Sequence, residues 1–448
     1  MNTLPLLPDF PSASAIAYRD SRPISRAEFL REVLALAARL PDTSHIFNVC
    51  KDRYWFAVTL FAAISRGILS MLPNSTAPEN IAALRAEVPD LVCLGDQATS
   101  PFSHIPYMQV SGADLSLSSA SLVMPRIPFE QRMVCVYTSG STGKPQPHIK
   151  TFGRMQRCAT AEAERMWAAA GGTCAVLGTV PFQHMYGLES SVLLPILGGG
   201  QLSTRLPFFP TDVVSALAEL PAPRFLVTTP FHLRKLLDAD LPIPPVAAIL
   251  SATAPLSREL AQEAESRLNA PMMEIYGSTE TGQLATRRPT VQSEWETYPG
   301  IVLSQERDVS TASGGHLESA QILNDRVELL GSSRFRLLGR HSDMINIVGK
   351  RSSLAFLNHL ITRLPGVQDG VFCMPESAPE NTAGRLAAFV VAPELNPNDI
   401  LAALRLHLDP VFLHRPLVFL DALQRDGNGK IPASVMATLI AEHLTEKI

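Results

Sequence analysis

The sequence predicts an α/β protein with a large N-terminal domain of α/β layers and parallel sheets, followed by a small C-terminal α/β domain. Between residues 174 and 276, short apolar runs alternate with helical patterns in the order strand, helix, strand. The chain has 448 residues, 46% of them hydrophobic, which exceeds one typical core. We therefore expect two or three domains, and two if one of them is large.

Composition excludes several classes of protein. A net charge of -4 argues against a general nucleic-acid binder, which normally presents a strongly basic face. The first twenty residues have no basic segment and contain Asp9, so a secretory signal is not expected. The apolar run Phe56 to Ile64 is too short to cross a bilayer. We expect a cytoplasmic protein with no nucleic-acid partner and no membrane association.

The six cysteines are scattered without any C-x-x-C pair, and several lie inside apolar runs. Neither a zinc site nor a disulfide framework is indicated by this spacing. We expect buried, reduced thiols.

The N-terminal elements follow from local signals. Ser25 and Glu28 have the spacing of a capping box, and apolar residues then recur at helical intervals to Leu40. A second helix is predicted from Tyr54 to Arg66, ended by Gly67 before the strand Ile68 to Leu72.

The stretch Val134 to Pro145 predicts a phosphate-binding loop. Four apolar residues suited to a buried strand run directly into hydroxyl, glycine and lysine residues. Glycines allow successive N–H groups to point into one concavity, which favours an anion, while hydroxyls and a lysine add donors and positive charge. The residues of this loop are Thr138, Ser139, Gly140, Ser141, Thr142, Gly143 and Lys144.

The P-loop of nucleotide hydrolases is the obvious rival interpretation, and it requires G-x-x-x-x-G-K-[ST] at the start of a helix. Thr138 stands in the first glycine position and Pro145 follows Lys144, so that pattern fails twice. The segment instead resembles the phosphate loop of the adenylate-forming superfamily, Y-T-S-G-S-T-G-x-P-K-G. Tyr137 to Pro145 match it position by position, whereas Gln146 and Pro147 replace the usual Lys-Gly. We expect this departure to alter how the next strand leaves the loop.

Downstream, alternating strands and helices indicate parallel α/β layers, whose ligands bind at the carboxyl ends of the strands. Serine, threonine and proline mark the helix starts and paired glycines mark one end. The predicted elements are a helix at Thr160–Ala170, a strand at Cys174–Val180, a strand at Phe225–Val227, a helix at Pro230–Leu237 after Thr229, a strand at Val246–Leu250, a helix from Ser257 to Leu268 and a strand at Met272–Tyr276.

Three further motifs of the same superfamily fall at those strand ends. Pro181, His184 and Gly187 match the P-x-x-H-x-x-G segment that closes over the acid substrate. The run Ser251 to Leu256 is similar to G-G-A-P-L, which lies against adenine, although Ala252 and Thr253 replace the glycines ahead of Ala254.

The third motif, Ile275 to Gly282, is a close match. The resemblance implies that Tyr276 stacks on adenine, that Thr279 reaches the α-phosphate and that Glu280 helps to hold Mg²⁺. The chemistry agrees, because a hard cation that bridges phosphates prefers carboxylate oxygen and water.

The polar, aperiodic stretch from Arg288 to Asn324 resembles a shortened form of the β-rich subdomain of the superfamily. Asp325 stands roughly where the superfamily has an aspartate that hydrogen-bonds the ribose hydroxyls, and a solvated turn is the alternative interpretation. The segment that begins at Phe335 resembles the hinge motif G-R-x-D-D-x-I-K. Arg340 would contact ribose or phosphates, and Ser342 occupies the pivot position, which is usually acidic.

By this resemblance, residues 1–339 form the N-terminal AMP-binding domain. Residues 340–448 form a small mobile lid, with helices from Leu354 and Pro397 and a strand at Ala387–Val391. Leu423 to Ile431 is similar to L-P-R-T-x-x-G-K-I, in which the lysine is catalytic. That residue here is Lys430.

The resemblance implies an ATP-dependent and Mg²⁺-dependent ligase. It would join a small-molecule carboxylic acid to the phosphopantetheine thiol of CoA or of an acyl carrier protein, with Lys430, Thr279, Glu280 and His184 as catalytic residues. The compact length and the trimmed central region are similar to the ligases of bacterial aryl-polyene pigment clusters, which implies an aromatic acid. The alternative is a degenerate member of the superfamily that binds nucleotide as a scaffold or sensor, supported by the departures at Gln146, Thr253 and Ser342.

Overall fold

The computed structural model describes residues 2–73, 76, 78–112, 122–139, 145–307, 309–340, 344–347, 350–374, 386–406, 408, 413, 416–427 and 429–444. The chain divides into two compact units. Unit 1 comprises Met1–Leu303, Ala312–Gln321 and Ser332–Arg334, and unit 2 comprises Ser304–Thr311, Ile322–Gly331 and Phe335–Ile448.

Helices and strands of unit 1 alternate along most of its length. Its helices are α1 Arg26–Arg39, α2 Arg53–Ser65, α3 Pro78–Glu87, α4 Phe152–Ala170, α5 Met185–Leu188, α6 Leu194–Leu197, α7 Pro210–Ala218, α8 Pro230–Asp238 and α9 Arg258–Leu268. Its strands are β1 Thr3–Pro5, β2 Ala15–Arg19, β3 Arg22–Ser25, β4 His45–Asn48, β5 Leu69–Leu72, β6 Val92–Gly95, β7 Tyr107–Gln109, β8 Arg126–Pro128, β9 Arg132–Ser139, β10 Pro145–Thr151, β11 Ala175–Gly178, β12 Gln201–Ser203, β13 Arg224–Thr228, β14 Ala248–Ser251, β15 Met272–Ser278, β16 Gly282–Arg287 and β17 Trp295–Thr297.

The first large sheet of unit 1 has the strand order β10-β9-β5-β4-β6-β7. Strand β9 lies parallel to β5, whereas β10 returns antiparallel to β9 with Gln146 opposite Thr138. The core against this sheet is apolar because α2 is hydrophobic on nearly every face, from Phe56 to Ile64. The candidate phosphate loop therefore connects two paired strands that are anchored in a dry core.

The second sheet of unit 1 contains the order β17-β16-β15-β14-β13-β11-β12-β2-β3. Strands β11, β13, β14 and β15 are mutually parallel neighbours, which confirms the predicted α/β architecture. Their carboxyl ends therefore lie along one edge of the sheet, where the three motifs downstream of the phosphate loop were predicted.

Helix starts follow the local signals in the sequence. The hydroxyls of Ser25, Thr229 and Ser257 accept hydrogen bonds from the third residue of α1, α8 and α9 at 3.1, 3.2 and 3.1 Å, so each satisfies an otherwise unpaired N–H group. Helix α4 begins at Phe152, earlier than the predicted start at Thr160. Its first turns carry polar residues on the exposed side, which hid the buried face of Phe152, Met155 and Ala159.

Unit 2 has its own small α/β core. Its helices are α10 Leu354–Thr362, α11 Pro397–Arg405 and α12 Ala433–Leu444. The remaining strands of the chain are β18 Ile301–Glu306, β19 Val309–Gly314, β20 Gln321–Ile322, β21 Asp325–Leu329, β22 Arg334–Arg340, β23 Met344–Ile347, β24 Lys350–Ser353, β25 Asp369–Cys373, β26 Ala387–Val391 and β27 Leu417–Phe419. Leu357, Ile361 and Phe372 pack with Ile400 and Leu404 beside the sheet β25-β26-β27.

All six cysteines are free and buried, as predicted. Among the described residues, no helix is both long enough and apolar enough to span a lipid bilayer.

Arg53, at the start of α2, links this helix, which packs on the first sheet, to the strand ends of the second sheet. Its guanidinium is fully buried and donates to the carbonyl oxygens of Gly178 at 2.8 Å, Ser203 at 2.9 Å and Arg205 at 2.7 Å. Burial lowers the pKa of Arg53 to about 10, so the side chain remains charged at neutral pH. The carbonyl groups of Gly178 and Ser203, which end β11 and β12, thus obtain donors where they are buried, and the partly buried carbonyl group of Arg205 obtains one as well.

We expect Arg53→Met to destabilise the protein by on the order of 3 kcal/mol, because two buried carbonyl groups and one partly buried carbonyl group would lose their donors. Calorimetry or chemical denaturation measures this change. Arg31→Met, at an exposed position of α1, is the matched control. Equal stability of the two variants would contradict the role assigned to Arg53.

Candidate active site

The end of β9 carries the first candidate residues. Thr138 and Ser139 are its last two residues, and Thr138 is partly exposed. Gly140, Ser141, Thr142, Gly143 and Lys144 lie outside the described residues. The strands on either side of them are paired from Ser139 and Pro145 onward, so the predicted loop is bounded by a regular antiparallel hairpin.

His148 links the end of β9 to the Ile275–Gly282 motif. Its Nε2 lies 2.9 Å from the hydroxyl oxygen of Thr138 and 4.0 Å from Oε1 of Glu280. Burial lowers the pKa of His148, and the Lys150 charge lowers it further, while the Glu280 carboxylate opposes both. Two segments that are 142 residues apart in sequence, at Thr138 and Glu280, thus meet around one imidazole ring.

Lys150 makes a second link from β10 to the same motif. Its ammonium donates to the backbone carbonyl oxygen of Glu280 at 2.7 Å. Burial lowers the pKa of Lys150, and the buried Glu189 carboxyl is the strongest of the charges that oppose this shift. A buried cation therefore stabilises the backbone of the turn that carries Glu280.

The turn itself is braced by its own hydroxyls. The N–H of Ser278 donates to Oγ1 of Thr281 at 3.1 Å, and the N–H of Thr281 lies 3.3 Å from the hydroxyl of Ser278. Partial burial raises the pKa of Glu280, but the Ser278 hydroxyl, the backbone and the nearby cations outweigh it, so the pKa falls below its usual value. Glu280 is therefore an ionised carboxylate with Thr279 beside it.

An ionised, half-buried carboxylate fits Mg²⁺, which usually takes one or two protein carboxylates and completes its shell with phosphate and water. Within the described part of the chain, no cluster of three or more histidine, cysteine or acidic side chains could hold a metal ion. The Glu280 carboxylate fits a Mg²⁺ ion whose other ligands would be phosphate and water.

Thr253 occupies a strained backbone conformation at the end of β14. Its φ is +77°, in the left-handed region that favours glycine, and a β-branched residue there costs on the order of 1–3 kcal/mol. The same loop is fixed to β15, because the N–H of Leu256 donates to the buried Glu274 carboxylate at 3.0 Å. Ala254 is exposed between these two points. The loop thus keeps the glycine-type conformation although Ala252 and Thr253 replace the glycines.

Tyr276 lies on β15, next to β14. Its ring is mostly buried, at 9% exposure, and packs at 5.7 Å and 55° against Trp295. Stacking of Tyr276 on adenine stays a prediction.

His184 directly precedes α5, in the segment that follows β11. The hydroxyl of Tyr186 lies 3.0 Å from the carbonyl oxygen of Thr228 and 3.2 Å from that of Leu250, so α5 is held against the ends of β13 and β14. A Cβ at position 187 would lie 2.0 Å from the carbonyl oxygen of Pro181, so this close approach requires Gly187. The P-x-x-H-x-x-G pattern therefore reflects a tight turn that places His184 at the strand ends.

A fully buried polar network lies behind these loops, and no sequence pattern predicted it. The hydroxyl of Tyr298 donates to Oε1 of Gln283 at 3.0 Å, and the Gln283 amide donates to the hydroxyl of Ser190 at 3.1 Å. Burial raises the pKa of Glu162 to about 8 and that of Glu189 to about 7. Two carboxyl groups thus lie in a dry region, and Lys150 is a nearby cation for one of them, Glu189.

In unit 2, Asp325 and Arg340 are directly opposite each other on the antiparallel pair β21 and β22. Asp325 is partly exposed, and Arg340 ends its strand. The structure thus brings these two predicted nucleotide-binding residues together. The candidate pivot Ser342 lies outside the described residues.

Lys430 is held in a compact loop with an exposed side chain. Its N–H donates to Oδ1 of Asp426 at 2.9 Å, and its carbonyl oxygen accepts from the Asp426 N–H at 2.7 Å. Arg425 donates to the carbonyl oxygen of Gly429 at 2.7 Å and to both carboxylate oxygens of Asp369 at 2.8 and 2.6 Å. This two-point ion pair fixes the backbone beside Lys430 to the start of β25.

Comparison with known proteins identifies the family. The AMP-binding enzyme family matches residues 8–309, which is about two thirds of the chain. The chain therefore belongs to the AMP-binding enzymes, as its motifs indicated.

Among individual relatives, 4-coumarate–CoA ligases from Halorhodospira halophila and Rhodobacter capsulatus are 31% and 30% identical to this chain. The matched regions cover 57% and 52% of this chain and 62% and 58% of those proteins, so less than two thirds of either relative is spanned. A feruloyl-CoA synthase from Amycolatopsis is 25% identical over 94% of each chain.

Two solved structures share the fold. ATP-bound MatB from Rhodopseudomonas palustris superposes with a TM-score of 0.80 at 16% identity and covers 96% of each chain. The o-succinylbenzoate CoA synthetase MenE from Bacillus subtilis, in complex with its acyl-adenylate, gives 0.79 at 18% identity and 94% of each chain. The predicted α/β fold class is thereby confirmed.

The buried carboxyl of Glu162 predicts a pH dependence of stability. The pKa of Glu162 is about 8 in the folded protein, above the usual value of 4.5. Its contribution to the free energy of unfolding is therefore complete below pH 4.5 and is lost as the pH rises toward 8. We expect Glu162→Gln to reduce this loss by on the order of 2 kcal/mol, because an amide does not ionise.

Unfolding followed between pH 5 and pH 9 measures the effect, and Glu164→Gln on the exposed side of α4 is the control. The same pH dependence in wild type and in Glu162→Gln would show that this carboxyl is not protonated in the fold.

Proposed function

We propose that this chain is an ATP-dependent acid–thiol ligase. In the first step a carboxylate oxygen attacks the α-phosphorus of ATP, the bond to the bridging oxygen breaks, and pyrophosphate leaves. In the second step a pantetheine thiolate attacks the acyl carbon, AMP leaves, and the thiol proton passes to solvent. Two anions approach each other in the first step, so cations must be directed at the developing charge.

The meeting of Thr138, His148 and Glu280 is the observation that carries this proposal. Nε2 of His148 lies 2.9 Å from the hydroxyl of Thr138, at the end of the strand that leads into the phosphate loop, and 4.0 Å from the ionised carboxylate of Glu280, which is suited to Mg²⁺. Membership of the AMP-binding enzymes and relatives named as CoA ligases support the same reaction.

We assign the following roles within the proposal. Thr138 to Lys144 hold the phosphates, and Thr279 donates to the α-phosphate. Tyr276, Thr253 and Ala254 contact adenine, Asp325 binds the ribose, and Arg340 binds the ribose or the phosphates. His184 contacts the acid. When bound, Mg²⁺ would neutralise phosphate charge next to Glu280.

Lys430 supplies the positive charge for the reacting carboxylate. Its exposed ammonium is carried on a loop that is fixed by Asp426, Arg425 and Asp369, so the position of its backbone is set before substrate binds. Such preorganisation is what electrostatic catalysis requires.

We further propose that the acid is aromatic and that the acceptor is either CoA or the phosphopantetheine of an acyl carrier protein. The relatives described above are named as 4-coumarate–CoA ligases and a feruloyl-CoA synthase, and these names support an aromatic acid. The resemblance to aryl-polyene ligases favours a carrier protein.

ATP–pyrophosphate exchange across a panel of aromatic and aliphatic acids tests the proposal. Exchange with an aromatic acid, followed by thioester formation with CoA or a pantetheinylated carrier protein, is the expected result. ATP binding without exchange for any acid would instead favour a nucleotide-binding scaffold.

Lys430→Ala should lower the rate of pyrophosphate exchange by on the order of 10²-fold, because one positioned donor to the transition state is removed. Lys51→Ala, at an exposed position of unit 1, should leave the rate unchanged. A near-normal rate in Lys430→Ala would remove this residue from the mechanism.

Asp369→Asn should reduce exchange by on the order of 10-fold without changing the affinity for ATP, because the loop before Lys430 would lose its ionic anchor and its position. Rates and ATP affinity are compared with those of Asp421→Asn, an exposed residue of the same unit. If Asp369→Asn and the control behave alike, the ion pair with Arg425 has no part in placing Lys430.

A further inference from the structure

We propose that His148 and Lys150 are positioning residues that hold the Glu280 turn at a fixed distance from the end of β9. This inference rests on the proposed function, in which the phosphate loop and Glu280 bind the same nucleotide. Neither residue belongs to the motif matches that identified the candidate site, and both follow the Gln-Pro departure in that motif.

The strand geometry of β10 explains why these two residues act together. Side chains two positions apart on a strand point to the same face, so His148 and Lys150 share a face while Ile149 points away and is 44% exposed. On β9, Val136 pairs with His148 and Thr138 lies diagonally opposite, within reach of the imidazole. The antiparallel pairing of β9 and β10, which stays in register from Pro145 to Lys150, therefore directs both side chains to one face.

Lys150 fixes the backbone of the turn. Its ammonium, mostly buried, donates to the Glu280 carbonyl oxygen at 2.7 Å, and a charged donor makes a stronger hydrogen bond than a neutral one. The buried Glu189 carboxyl faces the same ammonium. Because the ammonium of a lysine usually extends to water, the burial of the Lys150 ammonium indicates that its contact with the turn is favourable.

His148 holds the Thr138 hydroxyl and lies beside the Glu280 carboxylate. One ring nitrogen lies 2.9 Å from the Thr138 hydroxyl, within hydrogen-bond distance, and 4.0 Å from the Glu280 carboxylate. The ring thus orients Thr138 and fills the space between it and Glu280, and it need not touch the nucleotide. The arrangement corresponds to the outer-shell partners of metal ligands, whose removal typically costs 10–100-fold in affinity or activity.

The experiment measures ATP binding by calorimetry over a range of Mg²⁺ concentrations, with no acid present so that no reaction occurs. The variants are Lys150→Met and His148→Asn, with Ile149→Thr on the opposite face of β10 as the matched control. We expect the two variants to weaken Mg²⁺-dependent ATP binding by on the order of 10-fold and the control to leave it unchanged.

Pyrophosphate exchange supplies a second readout. A positioning role predicts a raised KM for ATP and an unchanged KM for the acid, whereas a general structural defect would alter both. If Lys150→Met fails to fold because Glu189 is left without its cation, the double variant Lys150→Met/Glu189→Gln removes that unpaired charge and is measured in its place.

Folded variants that bind ATP with wild-type affinity and wild-type Mg²⁺ dependence would overturn the inference, even if the wild type proves to be a ligase. Equal losses for ATP and acid would overturn it as well. Absence of exchange in the wild type with every acid would instead overturn the proposed function, and the binding comparison would still decide the role of His148 and Lys150.

Discussion

The shared direction of four neighbouring parallel strands is the constraint on which the candidate site depends. Because β11, β13, β14 and β15 run in the same direction in neighbouring positions, the loops after them must emerge along one edge of the sheet. His184, Thr253 and Glu280 lie on those loops. Residues spread over about one hundred positions of sequence therefore reach one side of unit 1. The direction of the strands is sufficient for this, and no contact between the loops is required.

The core behind that edge contains buried ionisable groups whose burial is energetically unfavourable. Glu162 and Glu189 are almost fully buried, and burial raises the pKa of each carboxyl toward or above neutrality. Lys150 compensates part of this charge while its ammonium stabilises the Glu280 turn. Glu280 itself has the opposite shift, since hydrogen bonds and nearby cations keep its carboxylate ionised. The network thus keeps Glu162 largely protonated near neutral pH, whereas Glu280 at the candidate site is ionised.

Features set by local sequence could be predicted. The caps at Ser25, Thr229 and Ser257 were predicted because the signal and the bond lie within one helical turn. The parallel strands were predicted because each is a short apolar run between turn residues. Gly187 was found through its motif, and the structure supplies the reason, a backbone approach that admits no side chain.

Features set by distant partners could not be predicted. His148 and Lys150 carry no local signal of their role, because Glu280 is 130 residues away from Lys150. Glu162 falls in the predicted helix Thr160–Ala170, and only tertiary packing buries it. The left-handed backbone at Thr253 contradicts the preference of a β-branched residue, so only the surrounding loop could reveal it. Gly140 to Lys144 and the pivot Ser342 lie outside the described residues and stay predictions.

The central claim is that an acid oxygen attacks the α-phosphorus of ATP, and isotope transfer tests it most directly. The protein is incubated with ATP, CoA or a pantetheinylated carrier protein, and an aromatic acid labelled with ¹⁸O in its carboxyl group, and the AMP is analysed by mass spectrometry. Attack by the acid oxygen predicts AMP that carries one ¹⁸O atom from the acid. Unlabelled AMP, or ADP in place of AMP, would contradict this reaction.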